Sequence, residues 1–171
     1  MQHHLKQPDR PPSPIEPAGF FTGIQLRPIV IGVILDVFAT IALATGYYAL
    51  FVARDFSGPG DLAEDAYAAY WNSSDGLMMS LLLGSLGTAI GGFYAAYKAG
   101  TLEMKHGALV GVGSILLGLV LHSGGAEREM PDWFIALSLV AAIPAGALGG
   151  FLAEVFKNMT APRRPSRSGA F

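Results

Sequence analysis

"PIVIGVILDVFATIALATGYYALFVA", Pro28 to Ala53, holds a single charged side chain, Asp36. A helix needs about 20 mainly apolar residues to cross the hydrocarbon core of a bilayer. This stretch exceeds that length and reads as a transmembrane helix. It also lacks the polar face that a helix packed on a water-soluble core would keep. "LMMSLLLGSLGTAIGGFYAAY", Leu77 to Tyr97, and "WFIALSLVAAIPAGALGGFLAEVF", Trp133 to Phe156, read the same way. "GALVGVGSILLGLVL", Gly107 to Leu121, is short by itself. It is expected to lengthen through Met104, a snorkelling Lys105 and residues His122 to Gly124, with some bilayer thinning.

The whole chain agrees with this reading. Of its 171 residues 14% are charged, against about 25% in soluble domains. The expected fold class is all-α: a four-transmembrane-helix bundle with helices at 28–53, 77–97, 106–122 and 133–156. These lie in a membrane domain, 27–157, between a Pro-rich leader, 1–26, and a basic tail, 158–171. No cleavable signal peptide is visible, so the first helix is expected to be an uncleaved anchor. The leader's "PDRPPSPIEPAG" disfavours helix and suggests an extended segment.

Basic residues set the expected orientation. Lys6, Arg10, Arg27, Lys98, Lys105, Lys157, Arg163, Arg164 and Arg167 fall on one side of the four windows. The other side has Arg54 and Arg128 with Asp55, Asp61, Glu64, Asp65, Asp75, Glu127, Glu129 and Asp132. Both termini are therefore expected in the cytoplasm, beneath an acidic outer face, in a multi-pass protein of a bacterial inner membrane. Tyr47, Tyr48, Trp71, Trp133 and Phe134 gather at the outer boundary, and Phe93, Tyr94, Tyr97 and Phe156 toward the inner one, as interfacial belts do. In the long outer connection, Asp61 is a candidate cap for a short helix through "LAEDAYAAYWN". That helix would bring Tyr67, Tyr70 and Trp71 to one face, suited to lie on the outer leaflet. "NSS" at Asn72 fits a glycosylation sequon, discounted here because the overall composition resembles that of bacterial proteins.

Lipid gives helices no hydrophobic reason to associate, so small residues that let backbones approach are expected to mark the contacts. Gly84, Gly87, Gly91 and Gly92 offer such a face in the second window. Gly107, Gly111 and Gly118 do so in the third, and Gly146, Gly149 and Gly150 in the fourth. The first offers Gly32, Ala39 and Gly46. "GGF" at Gly91–Phe93 returns at Gly149–Phe151, and "IVIGV" at Ile29 weakly echoes "ALVGV" at Ala108. The echo admits two duplicated parallel helical hairpins. Pro144, inside the fourth window, removes a helical hydrogen bond to the Val140 carbonyl and is expected to kink the helix.

Asp36 is the most unusual residue. It shares a face with Gly32, Ala39, Thr40 and Leu43, so it is expected to point into the bundle. A buried carboxyl with no cation in reach is expected to be neutral. An intramembrane acid is a candidate for proton or cation movement. The alternative is a structural hydrogen bond across helices, to Thr40, Ser80, Ser85 or Ser114.

Glu154 is expected to pair with Lys98 or Lys157. His106 and His122 bracket the third helix about 24 Å apart, too far to share a metal. Glu103 and His106 make a weak pair of ligands, and His106 is expected to cap the entrance of that helix. With no cysteine, disulfides and thiolate metal sites are excluded. No phosphate-binding loop, nucleotide fingerprint or nucleophile set is present. No folded basic surface for nucleic acid is present either.

"GGFYAAY" followed by "KHGALVGV", through Gly91, Gly92, Phe93, His106 and Gly107, resembles small four-helix bacterial inner-membrane proteins of uncharacterised function. Gly149, Gly150 and Phe151 repeat part of the pattern. The resemblance covers the second to fourth helices and implies an inner-membrane location without a known activity. The leading expectation is a non-enzymatic structural or accessory subunit of a membrane assembly, with no cofactor. Its partners would be the lipid bilayer and further copies of itself or a larger membrane complex. The alternative is a small oligomeric proton- or cation-linked transporter using Asp36.

Overall fold

The computed structural model describes residues 21–55, 60–123 and 130–160. Most of the leader, the tail after Thr160, Glu127 to Glu129 and the side chains of Asp61 and His122 lie outside the described residues. Within them every regular element is helical. Helix α1 spans Leu26–Tyr47 and runs on through a π-helical turn, Tyr48–Val52, and a 3-10 turn, Ala53–Asp55. Helix α2 spans Gly60–Asn72, α3 Ser74–Ala99, α4 Glu103–Ser123 and α5 Asp132–Thr160. Four of these helices, all but α2, are long and apolar enough to cross a membrane.

Local chemistry sets the boundaries. Pro28 stands in the first turn of α1, where an N–H would have no helical partner anyway. Ser73 caps α3: its hydroxyl accepts the Gly76 N–H at 3.1 Å. Gly100 ends α3 in the left-handed region at φ +75°, the usual work of glycine at a helix end. Helix α4 is six residues longer than its apolar window, so its ends take in Glu103 and Ser123. Helix α5 runs continuously through Pro144. Ser73→Ala is expected to lower stability by about 0.5–2 kcal/mol, read as a shift in thermal unfolding in detergent.

Helices α3 and α4 pack on each other and each packs along α5, while α1 lies along α3 and also touches α4. The ends of α1 and α3 nearest the chain termini meet where the Gln25 amide donates to the Ala99 carbonyl at 3.0 Å. Lys157, near the end of α5, donates to the Ala96 carbonyl at 3.1 Å. The described chain ends therefore share one end of the bundle, called here the terminal end. Lys157 also pairs with Glu103 at 3.2 Å, so this cation, expected for Glu154, serves α4 instead.

The glycines set how closely the helices approach. A methyl group built on Gly91 would lie 2.3 Å from the Gly32 carbonyl oxygen, across α1 and α3. One on Gly149 would lie 2.0 Å from the Ala89 oxygen, across α3 and α5. Methyl groups built on Gly107, Gly111 and Gly150 would lie 2.3, 2.3 and 2.5 Å from backbone oxygens of the opposite helix along α4 and α5. One on Gly87 would lie 2.0 Å from the Thr40 hydroxyl, and one on Gly92 2.5 Å from the Gly146 oxygen. Gly84 and Gly118 depart from the expectation: a methyl group on either meets nothing within 4 Å. Both line a cavity.

The "GGF" echo is not an echo of contacts. Gly91 faces α1, its own hairpin partner, and Gly92 faces α5. In the second copy the roles swap: Gly149 faces α3, and Gly150 faces α4, its hairpin partner.

At the other end of the bundle, Tyr67, Tyr70 and Trp71 turn inward onto Tyr47 and Tyr48. Tyr48 and Tyr67 meet edge to face at 4.7 Å, and Tyr70 and Trp71 at 5.0 Å. The Tyr70 hydroxyl donates to that of Tyr47 at 3.0 Å. Burial, with the Tyr47 hydroxyl beside it, pushes the Tyr70 phenol up to about 12, so it remains a donor at all working pH. These contacts stitch α2 to α1 through the aromatic face that was expected to rest on the leaflet.

Candidate functional site

Asp36 projects from α1 into the bundle and is only 5% exposed. Three hydroxyls from three helices reach its carboxyl. Thr40, one turn on in α1, donates to Oδ1 at 3.3 Å. Thr88 of α3 donates to Oδ2 at 3.1 Å, and Ser114 of α4 donates to the same oxygen. Thr40 and Ser114 were expected partners. Ser80 and Ser85 make no hydrogen bond to Asp36 and instead line the cavity beyond it.

Thr88 was missed. Its position was legible by counting from the terminal end. Asp36 lies ten residues into α1 from Leu26, Thr88 eleven back from Ala99, and Ser114 eleven on from Glu103. At 1.5 Å per residue all three sit about 15–17 Å deep. Gly87 and Gly91 hold α3 against α1 on either side of Thr88, which turns its hydroxyl to the acid.

The network can serve the acid in either protonation state. Thr88 Oγ1 also lies 3.0 Å from the Gly84 carbonyl oxygen, and Ser114 Oγ 3.0 Å from that of Val110. Each hydroxyl has one proton to give. Toward a carboxylate both hydroxyls donate. Toward a carboxylic acid, one hydroxyl accepts a hydrogen bond from the acid's O–H and donates its own to its backbone carbonyl. Rotation of a hydroxyl suffices for the change.

A cavity of about 540 Å³ opens above this cluster. Asp36, Thr40, Thr88 and Ser114 line it at one end, and Leu121, Met130 and Phe134 at the other. Its walls are chiefly apolar, from Ile41, Leu81, Ile115, Leu117, Ile135 and Leu139, with the hydroxyls of Ser80, Ser85 and Ser138 between them. Among the described residues no Lys, Arg or His lines it. A second cavity, of about 720 Å³, shares Leu81 and Ser85 with the first and carries Asp75, Tyr47 and Tyr70.

Below Asp36 the bundle is shut by the contacts of Gly32, Gly91, Gly92, Gly107, Gly146 and Gly150. Ala95, Val110 and His106, all fully buried, fill that half. His106 has a different duty from the one expected. Its Nε2 accepts the N–H of Gln25, the residue that precedes α1, at 3.0 Å. Its Nδ1 lies 3.1 Å from the Leu102 carbonyl oxygen. The ring therefore carries its proton on Nδ1 and caps α1, tying it to the start of α4. Among the described residues no three His, Cys, Asp or Glu side chains gather as a metal site.

No family model, curated protein or solved structure matches the chain.

Proposed function

We propose that this is a non-enzymatic, multi-pass protein of a bacterial inner membrane whose bundle carries a proton-linked binding site at Asp36. In this reading it is a small transporter, working as an oligomer. One observation carries the proposal: the buried acid lies at the floor of a large cavity, closed toward the terminal end and extending toward the other. A purely structural carboxyl would need its three hydroxyls but no cavity above them. Direct carboxyl–hydroxyl contact suits a proton better than a metal ion, because a metal would have to part these groups to reach its oxygens.

The basic residues of the terminal end favour its placement in the cytoplasm, so the cavity would face outward. Pairing of α1 with α3 and of α4 with α5 fits an origin by duplication of a hairpin, followed by divergence in which glycine serves which neighbour. The absence of cysteine makes orientation simple to test. In intact spheroplasts, Ala68→Cys is expected to react with an impermeant maleimide, and Thr160→Cys only after lysis. The opposite pattern would invert the assignment.

A second reading, an accessory subunit in which Asp36 only staples three helices, draws on the saturation of the carboxyl by Thr40, Thr88 and Ser114. Proteoliposomes separate the two. Loss of a proton-dependent flux in Asp36→Asn supports the transporter. A stoichiometric partner on purification in mild detergent, with no flux, supports the subunit.

A further inference from the structure

We infer that the cavity above Asp36 takes an organic ammonium ion with an apolar body, in exchange for the proton of Asp36. The inference rests on the reading of Asp36 as a proton-linked site and adds the chemical class of what that site binds. Three features argue for it together.

The first is size. About 540 Å³ falls within the range of roughly 300–1,000 Å³ typical of organic ligands, far more than a bare ion needs. The second is the wall. Branched aliphatic side chains and Phe134 form most of it, so the bulk of the ligand is apolar. The third is charge. Among the described residues of the lining Asp36 is the one ionisable group, and none of them is a cation. An anion would meet no positive partner, and a neutral ligand would leave the acid unused. An ammonium group would meet a carboxylate, with the hydroxyls of Thr40, Thr88 and Ser114 as further acceptors once their protons turn elsewhere. Thr88 and Ser114 already have the Gly84 and Val110 carbonyls within 3.0 Å to receive those protons.

The exchange balances. The ligand arrives as R–NH₃⁺ and keeps all its protons. The Asp36 carboxylic acid loses one proton to solvent and stays behind as the carboxylate partner. The charge within the bundle is unchanged on filling, which removes the penalty of an unpaired ion in a low-dielectric site.

The test uses two ligands with one body, 4-phenylbutylamine and 4-phenylbutanol, and the full chain in lipid nanodiscs. Titration calorimetry in buffers of different ionisation enthalpy reads affinity and proton release, with lipid partitioning subtracted by matched protein-free nanodiscs. The amine is expected to bind at least about tenfold more tightly than the alcohol, a difference of about 1.4 kcal/mol. About one proton should leave per amine bound. Asp36→Asn should bring the amine down to the affinity of the alcohol and end proton release. Gly84→Leu keeps the acid but fills the cavity from a position where a new methyl meets nothing within 4 Å; it should abolish binding of both ligands while the thermal unfolding stays intact.

Equal binding of amine and alcohol, unaltered by Asp36→Asn, would overturn the inference and leave a neutral apolar pocket. Failure of the amine to bind the wild type would overturn it too. In that event a surviving Asp36-dependent proton flux would keep the proton-linked reading standing, and its loss would remove both.

Discussion

Gly146→Leu is expected to abolish the folded bundle. Gly146 sits where three helices converge. A methyl group there would lie 2.3 Å from the Gly107 carbonyl oxygen and 3.0 Å from the Gly111 nitrogen, both backbone of α4. The Gly146 carbonyl in turn stands where a side chain on Gly92 or Gly107 would go, at 2.5 and 2.3 Å. Overpacking in a core typically costs about 1–3 kcal/mol when side chains can move aside. Here backbone faces backbone, so α5 would have to separate from α3 and α4 together. In lipid no hydrophobic force drives the separated helices back. The loss should exceed about 3 kcal/mol, read as an aggregated elution profile and absence of a cooperative thermal transition in mild detergent. Gly118→Ala is the control: its new methyl meets nothing within 4 Å, and replacing a helical glycine by alanine is stabilising by about 0.5–1 kcal/mol. A cooperative Gly146→Leu protein would refute the three-helix junction.

Asp36→Asn is expected to remove proton-linked activity completely while leaving the bundle folded. The amide has nearly the shape of the acid: with its nitrogen in the place of Oδ2, its two N–H groups donate to Thr88 and Ser114, and its oxygen still accepts from Thr40. Thr88 and Ser114 then turn their own protons to the carbonyls one turn back, at 3.0 Å. No buried donor is stranded, and stranding is what makes such losses large. Stability should therefore fall by no more than about 1–2 kcal/mol, whereas flux should drop to that of protein-free liposomes. Were Asp36 only a structural staple, the substitution would leave any flux unchanged. Collapse of the fold in Asp36→Asn, or an undiminished flux, would each refute the assignment.

Much of the architecture was legible because lipid imposes simple rules. Helix length, charge depletion and the small-residue faces located all four long helices, and Asp36 stood out as the one acid deep inside a window. Boundaries were less legible. Helices α3, α4 and α5 extend by two to four residues past several window ends, since polar residues such as Ser74, Glu103 and Lys157 continue a helix at the interface. The role of a glycine could not be read from spacing. Gly84 and Gly118 keep the same offsets as Gly87 and Gly111, yet they line a cavity, because only the crossing of the helices decides which small residues meet backbone. His106 was read locally, as a cap for its own helix. Its true partner, Gln25, lies 81 residues away, beyond any local signal.

Carbodiimide labelling tests the central claim, that Asp36 is a proton-binding acid reached through the cavity. Dicyclohexylcarbodiimide partitions into membranes and modifies carboxyl groups that carry a proton. Wild-type protein in nanodiscs, labelled near neutral pH and mapped by peptide mass spectrometry, is expected to carry an adduct on Asp36, suppressed in Gly84→Leu, where the cavity is filled. A folded wild-type protein with no adduct on Asp36, or with one that filling the cavity leaves unchanged, would contradict the account.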